Sequence, residues 1–302
     1  MIEYAEKVSA GQASLGAEPA CCLVISHYNA WPTDQLVALL DQTLEIPAGV
    51  RFHTRVVVNQ ARPIPLLLPG RHEHVEVFYR PNLGYNIGAW DHGWRVGRPF
   101  DFYLFLQEEC VILRPGWMGR FRELASAPGV GLVGESLVDK ASWSRLIGGS
   151  KGIRRLLDHP QKGGCLRERY ERLRGVAEEK GIDLGGDGSH IQSLIFATRR
   201  DVLERIDGFE ADATEYVRAV MSEILASKAV LTQGLAIRQA GLLPFSIISH
   251  PQWLRPFWRR LLEVALLSRI PPRLRWFTFL ASCSLRARAS RLLQGRREVV
   301  LR

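Results

Sequence analysis

The sequence predicts an α/β domain with a mostly parallel sheet flanked by helices, and two observations support this class. Short runs rich in β-branched and aromatic residues alternate along the chain with segments of helical apolar spacing, which is the pattern of layered α/β proteins. The 302 residues are 46% hydrophobic and 24% charged, a globular composition that excludes a disordered or collagen-like chain. At this length we expect one large domain with an appendage.

The elements follow from these runs in chain order. Strands are predicted at residues 21–28, 52–59, 74–80, 101–107, 130–136 and 191–198. A helix from Asp34 to Leu44 follows the first strand, with Thr33 as its expected N-cap. Further helices are predicted at residues 87–97, 116–127, 166–180 and 214–233.

The domain organisation is predicted from where this alternation begins, breaks and ends. Residues 1–20 form a polar lead, residues 21–245 the main domain and residues 246–302 a basic amphipathic helical tail. Within the main domain, residues 139–188 are rich in Gly, Lys and Arg, and we expect them to be an insertion on the functional side of the sheet.

Cysteine spacing and apolar runs exclude further classes. The five cysteines include no CxxC pair and no zinc-ligand spacing, so we expect a reducing compartment and no structural zinc. The first 20 residues lack a basic patch followed by an apolar core, and no apolar run reaches the roughly 20 residues of a membrane span. We therefore expect neither a secretory signal nor a transmembrane helix.

Positive charge is concentrated in the predicted tail. The whole chain carries a formal charge of +9, while the residues from Pro251 onward hold twelve arginines against Glu263 and Glu298. Because Trp and Phe are interleaved with these arginines, the tail has the composition of a segment lying in a membrane interface. The alternative is a pair of helices packed on the domain with a solvated basic face. Binding to nucleic acid is a third and less favoured interpretation.

One predicted buried strand has polar residues at its carboxyl end. Residues 102–106 are continuously apolar, as expected of a parallel strand, and Gln107, Glu108 and Glu109 follow. Ligands bind at this end of open α/β sheets. Two adjacent acids there could hold a divalent cation that neutralises a diphosphate, or could form a solvated acidic turn.

Here an ordered set of motifs resembles a known family. LVISHYN, VVVNQ, NLGYNIG, YLFLQEEC and RPGWM follow one another, and then come His190-Ile-Gln192-Ser193 and FATRRDVLERIDGF. Over about residues 21–240 this set resembles glycosyltransferase family 2 and similar GT-A enzymes, and is similar to the subset that includes rhamnan synthesis protein F. The resemblance implies a GT-A-like, Rossmann-like fold.

The resemblance also implies a donor site. A nucleotide would be contacted by the end of the first strand and by Asn59 at the base, and the ribose and diphosphate would lie over the turn after the third strand. Glu109 matches the last acid of the family's Asp-x-Asp metal motif. Gln107 and Asn59 replace charged residues, so a requirement for Mn²⁺ or Mg²⁺ is left open, with Glu108 as a substitute ligand. The implied donor residues are Ser26, His27, Tyr28, Asn29, Asn59, Asn82, Gly84, Asn86, Gln107 and Glu108.

The acceptor side requires a carboxylate opposite the leaving diphosphate, because an inverting transfer removes the proton of the acceptor hydroxyl as the new bond forms. The candidates are Asp212, Glu215 and Glu223, and Glu223 resembles a Glu-x-x-Leu-Ser element of related sequences. His190, Gln192 and Ser193 are expected beside the acceptor.

Together these residues imply an inverting hexosyl- or rhamnosyl-transferase. It would move a sugar from a nucleotide diphosphate sugar to a glycan or lipid-linked acceptor in cell-surface polysaccharide synthesis, as a peripheral protein at the cytoplasmic face of the membrane. The alternative is a catalytically degenerate carbohydrate- or nucleotide-binding module on the same fold. A dinucleotide oxidoreductase is disfavoured, because GYNIG lacks the G-x-G-x-x-G spacing and follows the third strand.

Overall fold

The structure is a computed structural model that describes residues 20–138, 142–143, 166–209 and 216–251. These residues form eleven strands and six helices, together with a 3-10 turn at Gly70–His72. The strands are β1 (Cys21–Tyr28), β2 (Phe52–Gln60), β3 (Glu76–Pro81), β4 (Phe102–Gln107), β5 (Val111–Ile112), β6 (Val130–Gly134), β7 (Leu137–Val138), β8 (His190–Ile191), β9 (Ile195–Arg199), β10 (Ala236–Gln239) and β11 (Ile248–Ser249). The helices are α1 (Asp34–Glu45), α2 (Tyr85–Arg95), α3 (Trp117–Ala125), α4 (Leu166–Glu179), α5 (Arg200–Arg205) and α6 (Tyr216–Thr232).

Seven strands form the main sheet, in the order β10-β6-β9-β4-β1-β2-β3. All neighbours in it are parallel except at β9, which runs antiparallel to both β4 and β6. The chain places β1, β2 and β3 side by side and then returns to add β4 on the other edge of β1. The carboxyl ends of β1 and β4 therefore meet where the strand order reverses, the place where open α/β sheets bind ligands.

Side-chain alternation along the strands divides the core into two apolar layers. Leu23 and Leu104 pack on the face covered by α1 and α3. Val24 and Phe105 pack on the opposite face, which α2, α5 and α6 cover. A third, smaller cluster joins α4 to α6. Among the described helices, none combines the length and hydrophobicity needed to cross a lipid bilayer.

The predicted class, an α/β domain with a mostly parallel sheet flanked by helices, is confirmed. Thr33 is the N-cap of α1, as expected, but its side chain makes no capping hydrogen bond with the described residues. The strand predicted at 191–198 is interrupted. Strand β8 pairs with β7 in a two-stranded sheet, while β9 belongs to the main sheet. Residues 192–194 lie between them in neither strand, and the N–H of Gln192 donates to the carbonyl of Ser136. Most of the predicted insertion and the tail from residue 252 lie outside the described residues.

Residues 246–251, predicted from the sequence to begin the tail, pack against the domain. Strand β11 pairs antiparallel with β5. The buried carboxylate of Glu135 accepts hydrogen bonds from the N–H groups of Ser246 (2.9 Å), Ile247 (3.1 Å) and Ile248 (2.8 Å). One carboxylate after β6 thus fixes the backbone of the segment that leads to His250.

Candidate active site

Three polar side chains lie at the carboxyl ends of adjacent strands and on the same face of the sheet. Ser26 of β1 is aligned with Gln107 of β4, and Asn59 comes from β2 on the other side of β1. Their positions alternate with residues of the α1 and α3 face, so they belong to the face covered by α2. Buried Ser26 donates to the carbonyl of Leu106 at 3.4 Å.

The first turn of α2 begins at this edge of the sheet. Its N-cap, Gly84, has a left-handed φ of 69°, and Tyr85 follows with a φ of 53°. Glycine has no side chain, so the first-turn N–H groups receive no cap from it and can meet an anion. A Cβ on Gly88 would lie 2.1 Å from the carbonyl oxygen of Leu83, so this tight turn requires glycine there.

Asn59 fastens the start of α2 to the sheet. Its Nδ2 donates to the carbonyl of Tyr85 at 2.9 Å, and its Oδ1 accepts from Arg80 at 2.9 Å. Arg80 also donates to the carbonyl of Leu83 at 2.6 Å. The side-chain amide of Asn59 therefore donates to one partner and accepts from another. An aspartate could not make both hydrogen bonds, because a carboxylate has no N–H to donate.

The carbonyl of Ser193 joins α2 to the end of β4. It accepts from Asn86 Nδ2 at 2.6 Å and from Gln107 Nε2 at 3.1 Å. The hydroxyl of the same serine donates to Glu223 Oε2 at 2.8 Å. Residues expected on the donor side and on the acceptor side are therefore connected by one hydrogen-bonded chain.

His190 completes this chain through the other oxygen of Glu223. Its Nε2 lies 2.6 Å from Glu223 Oε1, and its Nδ1 lies 2.8 Å from the carbonyl of Gly188. A carbonyl oxygen only accepts, so Nδ1 donates to Gly188, and Nε2 faces the carboxylate of Glu223.

The protonation of Glu223 is set by two opposing effects. Burial raises the pKa of this carboxyl, but the hydrogen bond and charge of His190 and the hydrogen bond from Ser193 outweigh burial. The pKa of Glu223 therefore lies below its ordinary value, and the side chain is ionised at neutral pH with 19% of its surface exposed.

Glu108 turns back onto β1. One carboxylate oxygen contacts His27 Nδ1, and the other accepts from the N–H of Tyr28 at 3.2 Å. Both His27 and Glu108 are buried. This carboxylate therefore fixes the end of β1. The Nε2 atom of His27 is buried and has no hydrogen-bond partner among the described residues.

Glu109 lies beside His250, which is not part of any motif described above. His250 Nε2 is 3.5 Å from Glu109 Oε2, and the imidazole is buried. The antiparallel pairing of β11 with β5 produces this approach. A carboxylate and an imidazole suit Mn²⁺, but no three such metal-ligating side chains come together anywhere in the described ranges. The signal that could have identified His250 is its position directly after the short strand-like segment Phe245–Ser249, which contains Ile247 and Ile248.

The remaining predicted residues are placed around these contacts. Asn29 Nδ2 donates to the carbonyl of Arg62 at 2.7 Å, and its Oδ1 accepts from Ala61 N at 2.7 Å, so it fixes the loop after β2. Tyr28 packs edge-on against half-exposed Trp31. Asn82 and Gln192 are half-buried in the turns before α2 and β9. Glu215 and Asp212 lie outside the described residues.

Comparison with solved structures gives many matches, which include two glycosyltransferases. A mannosyltransferase from Pyrobaculum calidifontis, solved with GDP-Man and Mn²⁺, is 15% identical with a TM-score of 0.48, over 95% of this chain and 81% of that one. Glucosyl-3-phosphoglycerate synthase from Mycobacterium tuberculosis, solved with Mn²⁺, UDP-Glc and phosphoglyceric acid, is 13% identical with a TM-score of 0.38, over 84% and 81%. No protein-family model and no curated protein sequence matches the chain. At these identities and TM-scores, neither structure assigns a role to any residue of this chain.

Proposed function

We propose that this chain is a GT-A-like glycosyltransferase that transfers a sugar from a nucleotide diphosphate sugar to a hydroxyl of an acceptor. The observation that carries the proposal is the hydrogen-bonded chain from Asn86 and Gln107 through Ser193 to Glu223 and His190. It connects polar residues at a strand-order reversal, where a ligand binds, with an ionised carboxylate that can take a proton.

The donor would lie along the carboxyl ends of β2, β1 and β4. The first turn of α2, whose N-cap Gly84 has no side chain, suits the diphosphate, since backbone N–H groups and the helix dipole both favour an anion. The nucleoside would lie nearer Tyr28, Asn29 and Asn59.

Glu223 is the proposed general base of an inverting transfer. The acceptor oxygen would attack the anomeric carbon as the bond to the diphosphate breaks, and its proton would pass to the Glu223 carboxylate. The lowered pKa keeps that carboxylate ionised at neutral pH. His190 would hold Glu223 in one orientation through the contact at 2.6 Å. Glu215 stays a second candidate from the sequence.

Glu109 and His250 are the residues that would hold a divalent cation. Two protein ligands leave coordination positions for phosphate oxygens of the donor, which is how Mg²⁺ and Mn²⁺ commonly bind at nucleotide sites. When bound, the cation would neutralise charge on the departing diphosphate. Glu108 is a less suitable ligand, since both its oxygens contact β1.

A degenerate binding module is the second candidate, and one observation favours it. The positions of two expected acids hold neutral amides, and Asn59 and Gln107 both make hydrogen bonds within the protein. Such a module would bind a nucleotide or a glycan without turning over the donor.

The physiological setting is proposed from the sequence. The arginine-rich tail is suited to an anionic membrane surface, and a lipid-linked or glycan acceptor in polysaccharide synthesis, of the hexosyl or rhamnosyl type, would be modified there. Co-sedimentation with liposomes of anionic lipid tests this, and protein that stays in the supernatant contradicts it.

Donor binding and turnover are tested separately. A thermal-shift panel of UDP-, GDP- and dTDP-linked sugars, each with Mn²⁺ and with chelator, measures binding, because a ligand of the native state raises the melting temperature. Donor turnover is then measured for wild type, Glu223→Gln and the matched surface control Glu178→Gln. We expect Glu223→Gln to bind donor and lose transfer by at least about 100-fold, while Glu178→Gln transfers normally.

Each outcome separates the candidates. Binding followed by transfer in the wild type supports the enzyme. Binding without transfer, with every acceptor class supplied, supports the binding module. Full transfer by Glu223→Gln removes that residue from the role of base.

A further inference from the structure

Ser193 uses its two polar groups in opposite directions. Its carbonyl accepts hydrogen bonds from the side-chain amides of Asn86 and Gln107, both expected on the donor side. Its hydroxyl donates to Glu223 on α6. It lies in the interruption between β8 and β9, outside both strands. Its side chain is buried against the end of the sheet.

The position of the Ser193 carbonyl depends on few contacts. Strand pairing holds Ile191 and Ile195 on either side of the interruption. Inside it, the N–H of Gln192 donates to the carbonyl of Ser136 at 3.0 Å, and the Ser193 hydroxyl donates to Glu223 at 2.8 Å. The carbonyl of Leu194 also accepts from Cys110 Sγ at 3.7 Å. Because a hydrogen bond to a carboxylate is stronger than one between neutral groups, the contact of the Ser193 hydroxyl with Glu223 is the strongest of these.

We propose that Ser193 is a positioning residue for the nucleotide donor, acting through Asn86 and Gln107; this inference rests on the proposed function. With its Nε2 committed to the Ser193 carbonyl, the Gln107 amide is held in one orientation, and its Oε1 is directed away from that carbonyl. The same holds for Asn86. The acceptor-side carboxylate Glu223 thereby determines the geometry of the donor side without touching the donor.

The test compares nucleotide affinities in the absence of acceptor. Binding of UDP, GDP and dTDP is measured by calorimetry for wild type, Ser193→Ala, Glu223→Ala and the double variant. Both single variants remove the hydrogen bond between the Ser193 hydroxyl and Glu223, and both keep the Ser193 carbonyl group, whose position then loses that support. We expect each to weaken binding of the preferred nucleotide by about fivefold, and the double variant to weaken it no further.

Two further variants separate positioning from general damage. Glu223→Gln keeps a carbonyl oxygen for the Ser193 hydroxyl, so its nucleotide affinity should match wild type. Thr232 lies on the same helix, and its hydroxyl accepts from Asp183 N at 2.9 Å. Removal of this hydroxyl in Thr232→Ala should leave the nucleotide affinity unchanged. Thermal unfolding confirms that each variant is folded; if Ser193→Ala is not, the comparison of Glu223→Ala with Glu223→Gln carries the test.

The outcomes distinguish this inference from the function on which it rests. Failure of all three nucleotides to bind wild type at millimolar concentration overturns the proposed function and this inference with it. Normal nucleotide affinity in Ser193→Ala overturns the inference alone. Additive losses in the double variant also overturn it, because they show two independent effects.

Discussion

Replacement of Glu135 by glutamine should remove a large part of the pH dependence of stability. The carboxylate is 1% exposed and receives three backbone N–H groups of the segment before His250. Burial raises the pKa of Glu135 to about 7, although the three N–H donors act in the opposite direction. The glutamine keeps a carbonyl oxygen for this segment but cannot ionise.

The size and sign of the effect follow from linkage. In the unfolded chain this carboxyl has its ordinary pKa of 4.5, while in the folded chain the pKa is about 7. Below pH 4.5 Glu135 is protonated in both the folded and the unfolded chain, and the contribution of its raised pKa to the free energy of unfolding is fully present. Between pH 4.5 and 7 the unfolded state loses its proton first, so stability falls by about 1.4 kcal/mol per pH unit, or about 3 kcal/mol in all.

The measurement is urea denaturation followed by tryptophan fluorescence, at half-unit steps from pH 4.5 to 7.5. The free energy of unfolding of wild type should fall by about 3 kcal/mol relative to Glu135→Gln across this range. The lowered pKa of His92 has the opposite effect, but it is common to both proteins and cancels in the difference. If the free energy of unfolding changes with pH in the same way in both proteins, folding does not raise the pKa of Glu135. That result would refute the reasoning from burial.

Two further predictions concern the first turn of α2 and the cation. Gly88→Ala should lower stability by about 1–3 kcal/mol in urea denaturation, because its Cβ would lie 2.1 Å from Leu83 O. Gly175→Ala on α4 should be neutral or stabilising by up to about 1 kcal/mol, because among the described residues no atom beyond its chain neighbours and its own helix backbone lies within 4 Å of that Cβ. Destabilisation of similar size in both would contradict the steric argument. Glu109→Ala and His250→Ala should each abolish any Mn²⁺-dependent part of the thermal shift with donor and leave the metal-independent part, and an undiminished Mn²⁺ effect in both would exclude this pair as ligands.

Local patterns were enough to predict most elements of the domain. The apolar run at residues 102–106 predicted β4 and placed Gln107 at the carboxyl end of that strand, because a buried parallel strand has a distinct composition. Hydrogen bonds join Glu223 to His190 and to Ser193, three residues that the sequence placed on the acceptor side. Their roles in binding and catalysis stay predictions.

Contacts between distant segments could not be predicted in the same way. The pairing of Glu108 with His27 joins residues 81 positions apart, and the approach of His250 to Glu109 depends on which short strand pairs with β5. Alternating hydrophobicity shows that a residue is in a strand and which face it occupies, but it does not name the neighbouring strand. The interruption at 192–194 was missed for the same reason, since its residues are held by side chains of α2, β4 and α6.

The antiparallel strand β9 has a consequence for synthesis of the chain. It lies between β4 and β6, yet it emerges from the ribosome some 90 residues after β4. Until then the apolar strand Phe102–Gln107 has an unpaired backbone edge, which is a template for association with other chains. Nascent or truncated forms ending before residue 195 should therefore aggregate or bind chaperones, and the full-length chain should escape this once β9 inserts.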